Sequence, residues 1–220
     1  MKRAVLASVL MSAWAAVHAE EPPKAPAADD AMFLEGRRHL EKLGTGGSAT
    51  PSLERLRTFW FLSVAEDSML PRARAEWEAL RSHKELYPDL ERAYQGALAV
   101  VEAKHALWPP AKLDHLKRAA PLLDSAVARS PNHPEIRYLR LMSCYYLPFF
   151  FGRKWSVDAD FQALARLLPQ SKGLVPEGLR AEVAKFVLDN FDAIDPQDRS
   201  RLVPLAAARS LRGQESANRQ

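Results

Sequence analysis

The chain has 220 residues, 47% hydrophobic and 26% charged, enough for one buried core or a short helical array of a soluble globular protein. The formal charge is +4, but setting apart Lys2 and Arg3 leaves 29 of the 31 basic residues against 27 acidic ones, and that near-balance argues against a nucleic-acid partner. The single cysteine, Cys144, excludes an internal disulfide and reads as a buried small apolar residue within Leu141-Met142-Ser143-Cys144-Tyr145.

Residues 1–19 have the three parts of a secretory signal peptide. Lys2 and Arg3 form the basic start, residues 4–17 an apolar run too short to span a bilayer comfortably, and Val17-His18-Ala19 a small-x-small cleavage site. Cleavage after Ala19 places the mature protein in the periplasm or outside the cell. No later apolar run reaches about 18 residues, so no transmembrane segment is expected after cleavage. Residues 20–30 (EEPPKAPAADD) lack apolar periodicity and are expected to be a disordered linker. Residues 31–211 then form one helical domain, and residues 212–220 a disordered tail.

Within that domain the first helix carries Phe33, Leu34, Leu40 and Leu43, with Asp29 or Asp30 to cap it and Gly44 to end it. The following Gly44-Thr45-Gly46-Gly47-Ser48 reads as a plain loop, because no lysine follows at phosphate-loop spacing and no strand precedes it. Thr50-Pro51 pairs an N-cap with proline at the first helical position and opens a helix to about Asp67, whose wide apolar face predicts burial between two neighbours. A third helix is expected over residues 71–86, ended by Tyr87-Pro88-Asp89, with Asp89 placed to cap the fourth, residues 90–107.

Trp108-Pro109-Pro110 stops the fourth helix. The fifth covers residues 112–129, with Pro121 inside as a kink or as a break between two shorter helices. A sixth runs from Pro134 to Leu147-Pro148 and is followed by Phe149-Phe150-Phe151-Gly152, an aromatic corner expected to plug the core rather than face water. Further helices are expected over residues 157–168, 177–190 and 196–211, with caps such as Asp158 and Asp195. No alternating β-branched run of strand length occurs anywhere, so the fold class is all-α.

Ala119, Leu123, Ala126 and Pro131 have the A-x3-L-x2-A-x4-P spacing of the second helix of a tetratricopeptide repeat. Small residues at Ala119 and Ala126 let two helices cross closely, Leu123 fills between them, and Pro131 ends the helix. The sequence resembles a divergent tetratricopeptide-like hairpin, with Gly96 at the small position of its first helix. From Gly96 to Ala119 is 23 residues where the repeat has about 12, and the helix after Pro131 lacks the repeat's tryptophan and glycine. Residues 94–168 are also similar to a group of exported bacterial proteins with tetratricopeptide-like helices, through Ala93-Tyr94-Gln95-Gly96-Ala97, Leu122-Leu123-Asp124-Ser125-Ala126-Val127, the stretch Pro131-Asn132-His133-Pro134-Glu135-Ile136-Arg137-Tyr138-Leu139-Arg140, and Leu147-Pro148-Phe149-Phe150-Phe151-Gly152. That resemblance implies stacked antiparallel hairpins, as a right-handed α-solenoid or an irregular helical array, in an exported protein. It carries over no catalytic residue.

Arg137 and Arg140 share a helix face, where like charges oppose each other unless an acid such as Asp124 or Asp160 pairs with them. With Tyr94 and Tyr138 they are the candidate lining of a groove for a peptide or protein partner, and Phe149, Phe150 and Phe151 are the candidate apolar contact surface. His39, His83, His105, His115 and His133 form no H-x3-H or H-E-x-x-H pattern, so neither metal nor cofactor is expected; His105 and His115 could converge across the Trp108-Pro109-Pro110 break. Neither G-x-S-x-G nor S-x-x-K occurs, and Glu76/Glu78 and Glu177/Glu182 read as solvated helix faces, so no catalytic residue is expected and the chain reads as a non-enzyme. The expected role is an exported helical scaffold binding a peptide or protein partner in the bacterial envelope. The alternatives are an assembly factor acting through an apolar surface and, last, an enzyme with an unrecognised site.

Overall fold

A computed structural model describes residues 31–43 and 51–217. The expected signal peptide and linker, the Gly44–Ser48 loop and the expected Thr50 cap lie outside the described residues. Those residues form α1 (Ala31–Leu43), α2 (Leu53–Ala65), α3 (Leu70–Ser82), α4 (Pro88–His105), α5 (Pro109–Arg129), α6 (Pro134–Tyr145), α7 (Lys154–Leu167), α8 (Glu177–Asn190) and α9 (Pro196–Ala217), with three short 3-10 turns. No strand occurs among the described residues, beyond one isolated bridge between Lys172 and Val175. The all-α expectation holds.

Several helix ends differ from the sequence reading, each for a local reason. Ser52 caps α2, its Oγ accepting from the Arg55 N–H at 3.2 Å. α3 stops at Ser82 rather than Leu86, because Lys84 adopts φ +56° and lets the Glu85 N–H reach the Leu80 carbonyl at 2.9 Å, a left-handed helix ending usually built with glycine. Pro88 itself opens α4, so Asp89 falls in the first turn and instead accepts from Arg92, Arg129 and Ser130. α5 runs unbroken through Pro121: the hydrogen bond the proline cannot donate would have gone to the carbonyl of Lys117, and both residues are exposed. α7 begins at Lys154, leaving Asp158 to pair with Lys154 rather than cap, whereas Asp195 does cap α9 through the Gln197 N–H at 2.8 Å. α9 reaches Ala217, past the expected end at Leu211.

Successive helices pack as hairpins, α2 with α3, α4 with α5, α6 with α7 and α8 with α9, while α4 lies beside α6. The closest crossing is at Gly96, where an added Cβ would stand 2.8 Å from Leu123 Cγ and 3.2 Å from the Ala119 carbonyl oxygen. Ala119, Leu123 and Ala126, the residues of the repeat-like spacing, are all buried there. Small residues let the backbones approach, and approach is what buries Leu123.

Two apolar clusters meet at α6. The first joins α1 to α6 through Leu56, Trp60, Trp77, Leu98 and Leu123; the second joins α6 to α9 through Leu141, Phe161, Leu164, Val187 and Leu202. Tyr138 packs against both. In the second, Phe161 stacks on Phe191 at 5.0 Å between ring centres, and Tyr145 meets Phe161 edge-on at 5.7 Å.

Candidate ligand groove

The arginine pair is spent inside the fold. Arg140, 4% exposed, donates through Nε and Nη2 to the two carboxylate oxygens of Asp160 at 2.7 and 2.8 Å, and through Nη1 to Asp124 at 3.1 Å. Arg137 donates to Asp160 at 2.9 Å and to the Pro131 carbonyl at 2.8 Å. Asp160 is fully buried, and Arg153 holds Asp124 through two further bonds at 2.8 and 2.6 Å. Burial by itself would push the Asp124 carboxyl up, but the bonds from Arg153 and Arg140 outweigh it and hold it below its ordinary range. Like charges on one helix face are thus neutralised from α5 and α7, as the i, i+3 spacing demands.

The tyrosines behave differently. Tyr94 is fully buried on α4, and its hydroxyl donates to Glu135 Oε1 at 2.7 Å. Arg57, from α2, closes on the same carboxylate with two parallel bonds of 2.8 and 2.6 Å. Burial, then the adjacent Glu135 carboxylate, raises the Tyr94 hydroxyl well above its ordinary value, so it stays a donor. Glu135 opens α6, so this triad ties together the leading helices of three consecutive hairpins.

Above the triad lies a groove of about 410 Å³. It is bounded by α1 and by the leading helix of every hairpin: α2, α4, α6 and α8. Trp60, Phe61, Tyr138 and Leu179 supply its apolar surface, Trp60 meeting Tyr94 and Tyr138 edge-on at 6.4 and 6.2 Å. The buried Trp60 indole N–H has no acceptor among the described residues. Around this surface stand Glu35, Glu54, Glu135 and Glu182, with Arg57 and with His39, which contacts Glu54 at 2.9 Å. Among the described residues, four carboxylates against one guanidinium give the lining a formal charge of −3 before His39 is counted. The groove therefore favours a cationic group beside apolar surface.

Of the residues expected from the sequence, Tyr94 and Tyr138 line this groove and Arg140 does not. Arg137 borders a separate hollow between the start of α6 and the end of α7, with Pro131, Arg166 and Gln170. The aromatic corner is a 3-10 turn ended by Gly152 at φ +65°, and the core-plug reading fails there: Phe149 and Phe150 are 55% and 59% exposed, while Phe151 is half-buried. The preceding Pro148 carbonyl accepts from the Phe151 N–H, which turns the chain before its first two rings can fold inward. His105 and His115 do not converge: the first bonds the Ser63 carbonyl at 2.7 Å and the second Glu102 at 3.0 Å. Glu76 is not a solvated face; it is buried, accepting from Arg55 at 3.1 Å and from the Ser52 N–H at 2.7 Å. Among the described residues no group of three or more His, Cys, Asp or Glu could hold a metal ion, and no helix is long and apolar enough to cross a membrane.

Sequence reasoning passed over Arg57, Glu135 and Trp60 as site residues. A signal existed for the first: Arg57 interrupts the wide apolar face of α2. A charge in such a setting is buried with a partner, but its partner's position, 78 residues away, is a tertiary fact. Compared with known proteins, the chain matches no family model, no curated protein sequence and no solved structure.

Proposed function

We propose that this chain is an exported helical scaffold that binds a basic, apolar-bearing peptide segment of a partner protein in the bacterial envelope, its hairpins stacked as a short tetratricopeptide-like solenoid. The observation that carries this reading is the groove lined by the leading helix of each hairpin, with an aromatic surface, a surplus of carboxylates and the unpartnered Trp60 indole N–H. Such a surface suits an extended segment, whose backbone carbonyls can accept from the indole while its lysines or arginines meet the glutamates. Periplasmic or secreted placement rests on the leader pattern of residues 1–19. The role proposed is binding: Arg57 is held by Glu135 and His39 contacts Glu54, while Glu35 and Glu182 add further negative charge to the lining.

Fluorescence anisotropy of the mature chain with a labelled Leu/Lys peptide and its Leu/Glu counterpart tests the proposal. The basic peptide should bind and the acidic one should not, with affinity falling as salt rises. Glu182→Lys should weaken the basic peptide by about tenfold. Equal affinity for both peptides, or indifference to Glu182→Lys, refutes it.

The exposure of Phe149 and Phe150 favours a second reading, assembly through the aromatic corner. Replacing both with serine would then break a complex that the Glu182 variant leaves intact.

A further inference from the structure

We propose that a second site, independent of the groove, binds a small amphiphilic carboxylate: an anionic head on a short apolar tail. It is a pocket of about 220 Å³ bounded by α4, α5, α6 and the aromatic corner. A dry apolar cavity of roughly 150 Å³ holds one benzene, so this one has room for a tail of about six to eight carbons. Its walls are apolar, among them Leu113, Leu116, Ala120, Leu147 and Phe151. Cys144 belongs to the same wall; burial pushes its thiol up, so it lines the pocket as a neutral small group and the ligand is held without a covalent bond.

Two observations independent of the cavity's shape define the head group. Ser143 and Arg153 border the pocket, and their buried Oγ and Nε have no hydrogen-bond partner among the described residues. Buried donors are nearly always satisfied, so two unmet ones on one apolar cavity point to an acceptor supplied from outside. The charge agrees. Lys117 and Arg153 border the pocket, and no carboxylate does among the described residues. Behind them Arg137, Arg140 and Arg153 face Asp124 and Asp160, three positive charges against two negative, so the network keeps a formal surplus of +1. Asp124 grips both Nη atoms of Arg153 and so fixes the guanidinium while leaving Nε over. An ammonium head would meet cations and no acceptor; a carboxylate meets two donors and a favourable field.

Isothermal titration calorimetry of the mature chain with octanoate, octanol and octylammonium tests the site. Octanoate should give a saturable heat, octanol should bind at least about tenfold more weakly, and octylammonium weaker still. Ser143→Ala should weaken octanoate by about fivefold, and Ala120→Phe, which fills the cavity, should abolish its binding. Glu182→Lys in the groove should leave octanoate unaffected, which separates this site from the proposed peptide site. Methyl NMR of the wild-type protein needs no folded variant: octanoate should give contacts to the Leu113 and Leu116 methyl groups. Absence of saturable binding, octanol matching octanoate, or contacts confined to the groove overturns the proposal.

Discussion

Replacing Gly96 by alanine puts the crossing of α4 and α5 to a quantitative test. In an unencumbered helix the change stabilises by about 1 kcal/mol, because glycine loses more backbone freedom on folding. Here the new Cβ would stand 2.8 Å from Leu123 Cγ, 3.2 Å from the Ala119 carbonyl oxygen and 3.2 Å from Leu122 Cβ. The Leu123 contact falls at Cγ, close to its own backbone, and the Ala119 carbonyl is itself backbone, so relief requires the two helices to separate. Overpacking of this kind costs about 2 to 3 kcal/mol, leaving a net loss of about 1 to 2 kcal/mol after the propensity gain. For a chain of this size that lowers Tm by about 2 to 8 °C. Gly178 is the internal comparison: it is also helical, but its added Cβ would meet nothing within 4 Å, so Gly178→Ala should gain up to about 1 kcal/mol. Urea unfolding of both variants, followed by circular dichroism, reads the difference. If Gly96→Ala is as stable as Gly178→Ala, the helices do not cross as closely as described.

The buried ion network and the α6 cap make further predictions. Asp160→Ala strips the fully buried carboxylate from Arg140 and Arg137 and should destabilise by about 3 to 5 kcal/mol, since Arg140 is left charged and buried; a loss below about 1 kcal/mol in urea titration would contradict that geometry. His133 caps α6 by accepting the Ile136 N–H at Nδ1, 3.3 Å away, which requires that nitrogen unprotonated. Burial lowers the His133 pKa from its ordinary value, with Glu135 opposing and Arg57 reinforcing the shift. The unfolded chain therefore takes up the proton first: the contribution is full above about pH 6.5 and disappears as pH falls through the lower folded value. His133→Asn keeps an uncharged cap, so wild type should lose about 1 kcal/mol relative to it between pH 7.5 and 5; a stability gap that ignores pH would contradict the assignment.

What the linear chain could settle was local. Helix-period apolar residues, prolines between them and the lack of strand patterning determined an all-α fold. The Ala119–Leu123–Ala126 spacing identified one tight hairpin before any contact was visible, because small and large residues at helical spacing have few other uses. The arginine pair's need for Asp124 and Asp160 was legible too, since two like charges on one face demand acids nearby. The groove was legible only in fragments. Tyr94 and Tyr138 could be named, but Arg57 and Glu135 are 78 residues apart, and only the packing of α2 against α4 and α6 makes them one ion pair. The aromatic corner shows the opposite limit. Three consecutive phenylalanines predict burial on composition, yet a 3-10 turn projects side chains in three directions, so that Phe149 and Phe150 stand exposed while Phe151 is half-buried. Composition measures how much apolar surface a chain carries; the tertiary fold decides which of it finds room inside.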